Sequence, residues 1–212
     1  MNILAVGSHP DDIEFGCGGT LLRYTEEGHS VYLFTLTRGS LGGDPKVRGT
    51  EQERAAEILG AKQLFFGDYE DTRITVDKDL ISHIEQLLEQ TQPNTVFVHY
   101  GQDTHQDHRN LCNAVISATR FIPDVLFYEG PSTQDFNPSV FVDIVSTFPR
   151  KLSALNAHAS QVTRTKVKNL TIVDIALATA QFRGTQAHIQ LAEAFVPLRM
   201  MQEIPSMSRS RF

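Results

Sequence analysis

Four short runs rich in β-branched and aromatic residues, Asn2 to Gly7, Val31 to Thr37, Gln63 to Gly67 and Thr95 to Tyr100, are each followed by a segment of different period. In those segments, Gly18 to Glu27, Glu51 to Leu59, Asp79 to Gln90 and Leu111 to Phe121, apolar residues recur three and four apart, as an amphipathic helix requires. Strand and helix in strict alternation leave few solutions, and the expected one is an α/β fold with a mostly parallel sheet covered by helices on both faces. Further strands are expected at Val125 to Tyr128 and near Phe141 to Val145. Pro149 can open a helix running toward His158, Thr171 to Phe182 reads as helix, and a turn at Gly184 precedes an apolar closing segment around Phe195 to Met201. The Gly- and Pro-containing stretch Arg38 to Val47 is the most irregular and is read as a lid beside the sheet.

A length of 212 residues with 41% apolar and 21% charged content suits one domain, 1–212, able to bury a continuous core. No apolar run reaches the roughly 18 to 20 residues of a membrane span, and no basic-then-apolar leader precedes the first strand, so no membrane partner and a cytoplasmic location are expected. The net charge of -6 argues against nucleic acid as a partner, because a phosphate backbone selects a basic face. The one basic cluster, Arg209 to Arg211, reads as a frayed end. Cys17 and Cys112 are too few for a disulfide framework and are read as buried thiols.

Chemistry concentrates in two clusters. Gly7-Ser-His-Pro-Asp-Asp-Ile-Glu14 follows the first strand, and Asp103-Thr-His-Gln-Asp-His-Arg109 follows the fourth. In an open parallel sheet both lie at the carboxyl edge, where active sites collect. Pro10 restricts His9 to extended backbone, so His9 and Asp12 can turn toward a common point, and a metal ion is the natural occupant. Asp11 and Asp12 could instead merely cap the next helix, but that leaves His9 unexplained. An imidazole from the second cluster would complete three ligands with one open position, the pattern of a catalytic rather than a structural zinc. His105 and His108 are three apart, and the spacing alone lets both reach one ion.

The His-Pro-Asp-Asp-x-Glu run at His9 to Glu14, with Gly18, Gly19 and Thr20 after it, and the Asp-x-His-x-Asp-His run at Asp103 to His108 closely resemble the LmbE-like or PIG-L deacetylase family. Weaker echoes are Arg48 with Glu51, Leu59-Gly60, Asp71, Asn137-Pro138, Asp143-Ile144, Lys151, His158 to Gln161 and Ala192 to Phe195. The resemblance implies a Rossmann-like three-layer fold and hydrolysis of the N-acyl group of an amino-sugar compound. It further implies His9, Asp12 and His108 as ligands of Zn2+, or of Fe2+ in the cell, Asp11 as general base, and His105 as the residue that steadies the charged intermediate. These roles suit the chemistry: zinc brings the pKa of bound water to about 7, Asp11 stands next to a ligand without being one, and Asp107 could hold His105 in the right tautomer. Arg48 and Asp71 are candidate substrate contacts. A homo-oligomer is suspected through the family alone.

Other residues have plainer readings. Glu14 supports a ligand's backbone or an Arg, Cys17 is apolar filling, and His158 either lines the site or a subunit contact or ends a helix. His29, His83, His99 and His188 have no identifiable partners. Ser40, Leu191 and His188 depart from residues common among relatives and are expected to line the outer pocket. Two rivals share the same first cluster: an amidase acting on a larger or thiol-conjugated substrate, and a metal-binding module without turnover. Nucleotide binding is weaker, since His-Pro-Asp-Asp is no Gly-rich phosphate turn.

Overall fold

The computed structural model describes residues 1–202, so the basic tail Arg209 to Arg211 lies outside the described residues. The alternation read from the sequence becomes β1 (Asn2–Gly7), α1 (Asp12–Glu26), β2 (Ser30–Thr37), α2 (Pro45–Leu59), β3 (Gln63–Tyr69), α3 (Lys78–Thr91), β4 (Thr95–His99), α4 (Gln106–Ala118) and β5 (Asp124–Tyr128). Then follow β6 (Val140–Asp143), α5 (Phe148–Ala157), α6 (Ile172–Ala187) and β7 (Ala192–Arg199). The seven strands form one sheet in the order β3-β2-β1-β4-β5-β7-β6. Strands β1 to β5 pair in parallel, and β7 runs antiparallel to both β5 and β6.

Both faces of the sheet are covered, and the period-two rule divides the core. Ile3 and Ala5 of β1 pack with Ile13 and Leu21 of α1, Leu59 of α2 and Ala154 of α5. Leu4 and Val6 of the same strand pack with Leu80 and Ile84 of α3 and with Leu111 and Val115 of α4. Helix α1 lies so close to the sheet that a Cβ on Gly16 would overlap the Tyr128 ring, and the Tyr128 hydroxyl donates to Val6 O at 2.8 Å. No helix among the described residues is long and apolar enough to cross a membrane. Cys17 and Cys112 are free and buried, as expected.

Three helices begin earlier than the apolar periodicity indicated: α1 at Asp12 rather than Gly18, α2 at Pro45 rather than Glu51, and α4 at Gln106 rather than Leu111. In α2 and α4 the first turn carries polar side chains, so the 3.6-residue apolar stripe starts only later, whereas α1 buries Ile13 and Phe15 from its first turn and its start is hidden by the polar residues and glycines around them. The lid segment is therefore shorter than Arg38 to Val47, because Asp44 caps α2 by accepting the Lys46 N–H at 2.8 Å with Pro45 in the first turn.

Candidate metal centre

The edge where β1 and β4 end holds both polar clusters. The end of β1 is pinned to that of β2, since Ser8 O accepts both the Thr37 N–H at 2.9 Å and its hydroxyl at 3.0 Å. The chain then turns through Asp11, whose φ of 89° lies in the left-handed region, an arrangement that Asp tolerates better than most residues. Asp12 opens α1, and its Oδ2 accepts the His9 N–H at 2.7 Å. On the other side His105 is the N-cap of α4, its Nδ1 accepting the Asp107 N–H at 3.2 Å. That assignment leaves the ring proton of a neutral His105 on Nε2.

Asp12 stands between two imidazoles: its Oδ2 is 3.4 Å from His9 Nδ1 and its Oδ1 is 3.5 Å from His108 Nε2. Ligands at about 2.0–2.2 Å around a tetrahedral ion lie about 3.3–3.6 Å from one another, and the separations of Asp12 from His9 and from His108 fall in that range, each through a different carboxylate oxygen. Each imidazole is also held from behind, as ligating histidines usually are. His108 Nδ1 is 3.2 Å from Asp103 Oδ2, and His9 Nε2 is 3.1 Å from Asp71 Oδ1 and 3.2 Å from Asp107 Oδ2. Burial alone would lower His9, but Asp107, Asp12 and Asp71 outweigh it and raise the imidazole well above its ordinary value. Burial would likewise raise Asp103, yet contact with His108 and the His105 N–H hold that carboxyl well below the usual range. Potential ligand atoms also converge to within 4.8 Å in three overlapping groups: His9, His105 and His108; Asp12, His99 and His108; and His9, Asp71 and Asp107.

Two expectations need correction. The Asp107 carboxylate does not hold His105: its Oδ2 accepts the Thr72 N–H at 2.7 Å and faces His9, and only its backbone reaches His105. Residues two apart at a helix start point to different sides, so the two side chains diverge. Arg48 and Asp71, the candidate substrate contacts, both line the cavity and are also bonded within the protein. Arg48 donates to Gly39 O at 2.9 Å and Pro10 O at 2.8 Å and lies 3.6 Å from Asp11 Oδ2, while Asp71 Oδ2 accepts the Leu41 N–H at 2.8 Å. Ser40, Leu191 and His188 are absent from the cavity wall. Leu191 is buried in the small apolar cluster with Ile144, Phe148 and Ala180, and His188 caps the carboxyl end of α6.

Asp11 faces a cavity of about 440 Å³ whose wall also includes His9, Asp12, His105, His108 and Arg164. Burial raises its carboxyl to about 6, helped by the charges of Asp12 and Glu14 and opposed by His158 and Arg48. Fully buried Glu14 is a support, but of neither a ligand's backbone nor an Arg: it accepts from Gln52 Nε2 at 2.7 Å, and Gln52 Oε1 in turn accepts the Asp11 N–H at 3.3 Å. His158 lies behind it, fully buried at the end of α5, with Nε2 3.5 Å from Glu14 Oε2. The segment after Gly39 lines the mouth, with Gly42 O accepting from Gln161 Nε2 at 3.2 Å and from Arg164.

The sequence reading missed His99, the last residue of β4, which it left without a partner. It touches Asp12 and stacks on His108. A usable signal was its place at the end of the strand that pairs with β1, level with the first ligand run. Among the others left unpaired, His29 meets the amino terminus and His83 the Tyr69 hydroxyl.

The uncharacterized deacetylase YaiS of Escherichia coli K12 is 38% identical over 167 residues, covering 74% of this chain and 90% of that protein. A probable N-acetyl-alpha-D-glucosaminyl L-malate deacetylase 2 of Bacillus anthracis is 32% identical over 192 residues, covering 80% and 84%. The crystal structure of the conserved protein TT1542 from Thermus thermophilus superposes with a TM-score of 0.85 at 29% identity, covering 96% of this chain and 97% of that one. The family model for PIG-L, the GlcNAc-PI de-N-acetylase, matches residues 4–119, a span that contains both polar clusters. On these matches the chain belongs to the PIG-L, or LmbE-like, family of deacetylases.

Proposed function

We propose that this protein is a zinc-dependent hydrolase that removes an N-acetyl group from an amino-sugar compound, with His9, Asp12 and His108 as the ligands. The observation that carries the reading is the pair Asp11-Asp12: one carboxylate stands between two imidazoles, and the next one along the chain faces the cavity without a place in that set. A site that only stored metal has no use for the second. When bound, the ion supplies a nucleophile at neutral pH by bringing the pKa of water to about 7, and it draws charge from the acyl oxygen. Asp11 takes the proton of the attacking water and later hands it to the departing amine nitrogen. His105 donates its Nε2–H to the acyl oxygen as charge develops there, a contribution of roughly 2.7–4 kcal/mol in comparable sites. Arg48 and Gln52 hold the turn that presents Asp11. An N-acetylated amino sugar is supported as the substrate class by the name of the Bacillus anthracis relative.

The test is acetate release from a panel of N-acetylglucosamine glycosides and conjugates, with longer acyl chains and thiol conjugates included, using metal-stripped protein restored with zinc or iron. Zinc-restored protein is expected to release acetate and stripped protein to be inactive. Asp11→Asn is expected to keep the ion and lose about 10²- to 10⁴-fold in kcat. Asn is also at ease in left-handed backbone, so the turn survives the change. Undiminished turnover by Asp11→Asn would reduce Asp11 to a helix cap.

A further inference from the structure

His99 is 1% exposed at the end of β4, in a strand otherwise made of Thr95, Val96, Phe97 and Val98. An apolar residue would fill this place at less desolvation cost, so the imidazole needs a reason. Its hydrogen bond and its ring contacts supply one. Its Nε2 accepts the Ser8 N–H at 3.1 Å, the amide that begins the Ser8–Asp12 turn and would otherwise be buried without an acceptor. With Nε2 accepting there, Asp12 Oδ2 at 3.2 Å faces it as a second acceptor, and no hydrogen bond joins them. Its ring lies flat on His108, with centroids 3.9 Å apart and planes 8° from parallel, and His108 is stacked in turn with His105 at 4.6 Å and 20°. Tyr128 braces His99 at 4.9 Å.

We infer that His99 is a positioning residue of the metal centre: through Ser8 it aims the turn carrying His9 and Asp12, and through its ring it fixes the plane of His108. Two ligand runs nearly a hundred residues apart in sequence are thus set against one buried side chain. Outer partners of this kind typically govern ion affinity by 10- to 100-fold. The inference rests on the zinc reading above.

Two variants separate the contacts. His99→Gln places an amide near the position of Nε2 and removes the ring; His99→Phe keeps a ring and removes the acceptor. The readouts are zinc affinity by chelator competition, the visible absorption of the cobalt-loaded protein, and the unfolding temperature of the metal-free protein. Each variant is expected to bind one zinc per chain roughly 10- to 100-fold more weakly, with altered cobalt bands. If only the metal-free unfolding temperature moves while zinc affinity and cobalt bands stay at wild-type values, His99 is mere core filling and the inference falls. It falls equally if both folded variants bind no zinc at saturation, since His99 would then be a ligand. A wild-type chain that holds no zinc would count against the function proposed above instead, so the two failures are distinguishable.

Discussion

Asp11 and Asp12 are neighbours of identical chemistry, and backbone conformation alone gives them different surroundings. The left-handed turn at Asp11 sends its carboxylate toward the cavity, near Arg48, while Asp12, one step into α1, faces His9, His99 and His108. The same separation applies to His105 and His108, which spacing alone could not tell apart. His108 has an acceptor behind Nδ1 and Asp12 before Nε2, the arrangement of a ligand, whereas the Nδ1 of His105 is taken by a backbone N–H and no carboxylate orients it. His105→Ala is accordingly expected to keep zinc at near-normal affinity and to lose kcat with little change in KM, as removal of an interaction made chiefly in the transition state requires. Metal content by mass spectrometry beside steady-state kinetics checks this, and parallel loss of zinc and activity would make His105 a ligand. Arg48, a candidate substrate contact, lines the cavity and also donates to Gly39 O and Pro10 O. A sequence shows that a guanidinium is present but not which carbonyls come within its reach.

Among the elements, α1 carries the decisive position, because its first residue is Asp12. Its middle is gripped by a buried ion pair: Glu193 of β7 accepts the Gly19 N–H at 2.8 Å and the Thr20 N–H at 2.7 Å, while Lys151 of α5 donates to Phe15 O and to Glu193, both at 2.6 Å. Four hydrogen bonds are made together, and none of the groups is exposed enough for water to replace a lost partner. Removing one member of such a set leaves a buried charge uncompensated. Glu193→Ala is expected to destabilise the fold by about 3–5 kcal/mol, measured by urea denaturation of the metal-free protein. A loss below about 1 kcal/mol would show that apolar packing alone seats α1. Lys151 and Glu193 were legible only as echoes of relatives, because a helix pattern does not reveal which of its amides a distant carboxylate will take.

For the whole molecule, the site joins two parts of the sheet that the chain builds separately, β1 with α1 and β4 with α4. An ion bound by His9, Asp12 and His108 binds the folded arrangement and not the unfolded chain, so it adds stability by mass action: about 2.7 kcal/mol when free zinc stands at 100 times its Kd. The unfolding temperature is therefore expected to fall on chelation and recover on zinc addition, with no recovery in a His9→Ala, His108→Ala double variant; recovery in that variant would place the ion elsewhere. Strand and helix identities, their alternation and the common edge of both polar clusters were determined by the sequence itself. They depend on how each segment divides its side chains between core and water, which is a local periodicity. The tertiary structure alone decided where α1, α2 and α4 begin, that Asp107 and Asp71 serve His9, that Leu191 packs in the core, and that His99 lies under His108. Those outcomes depend on partners brought together from distant strands and loops, and no local pattern specifies which donor meets which acceptor.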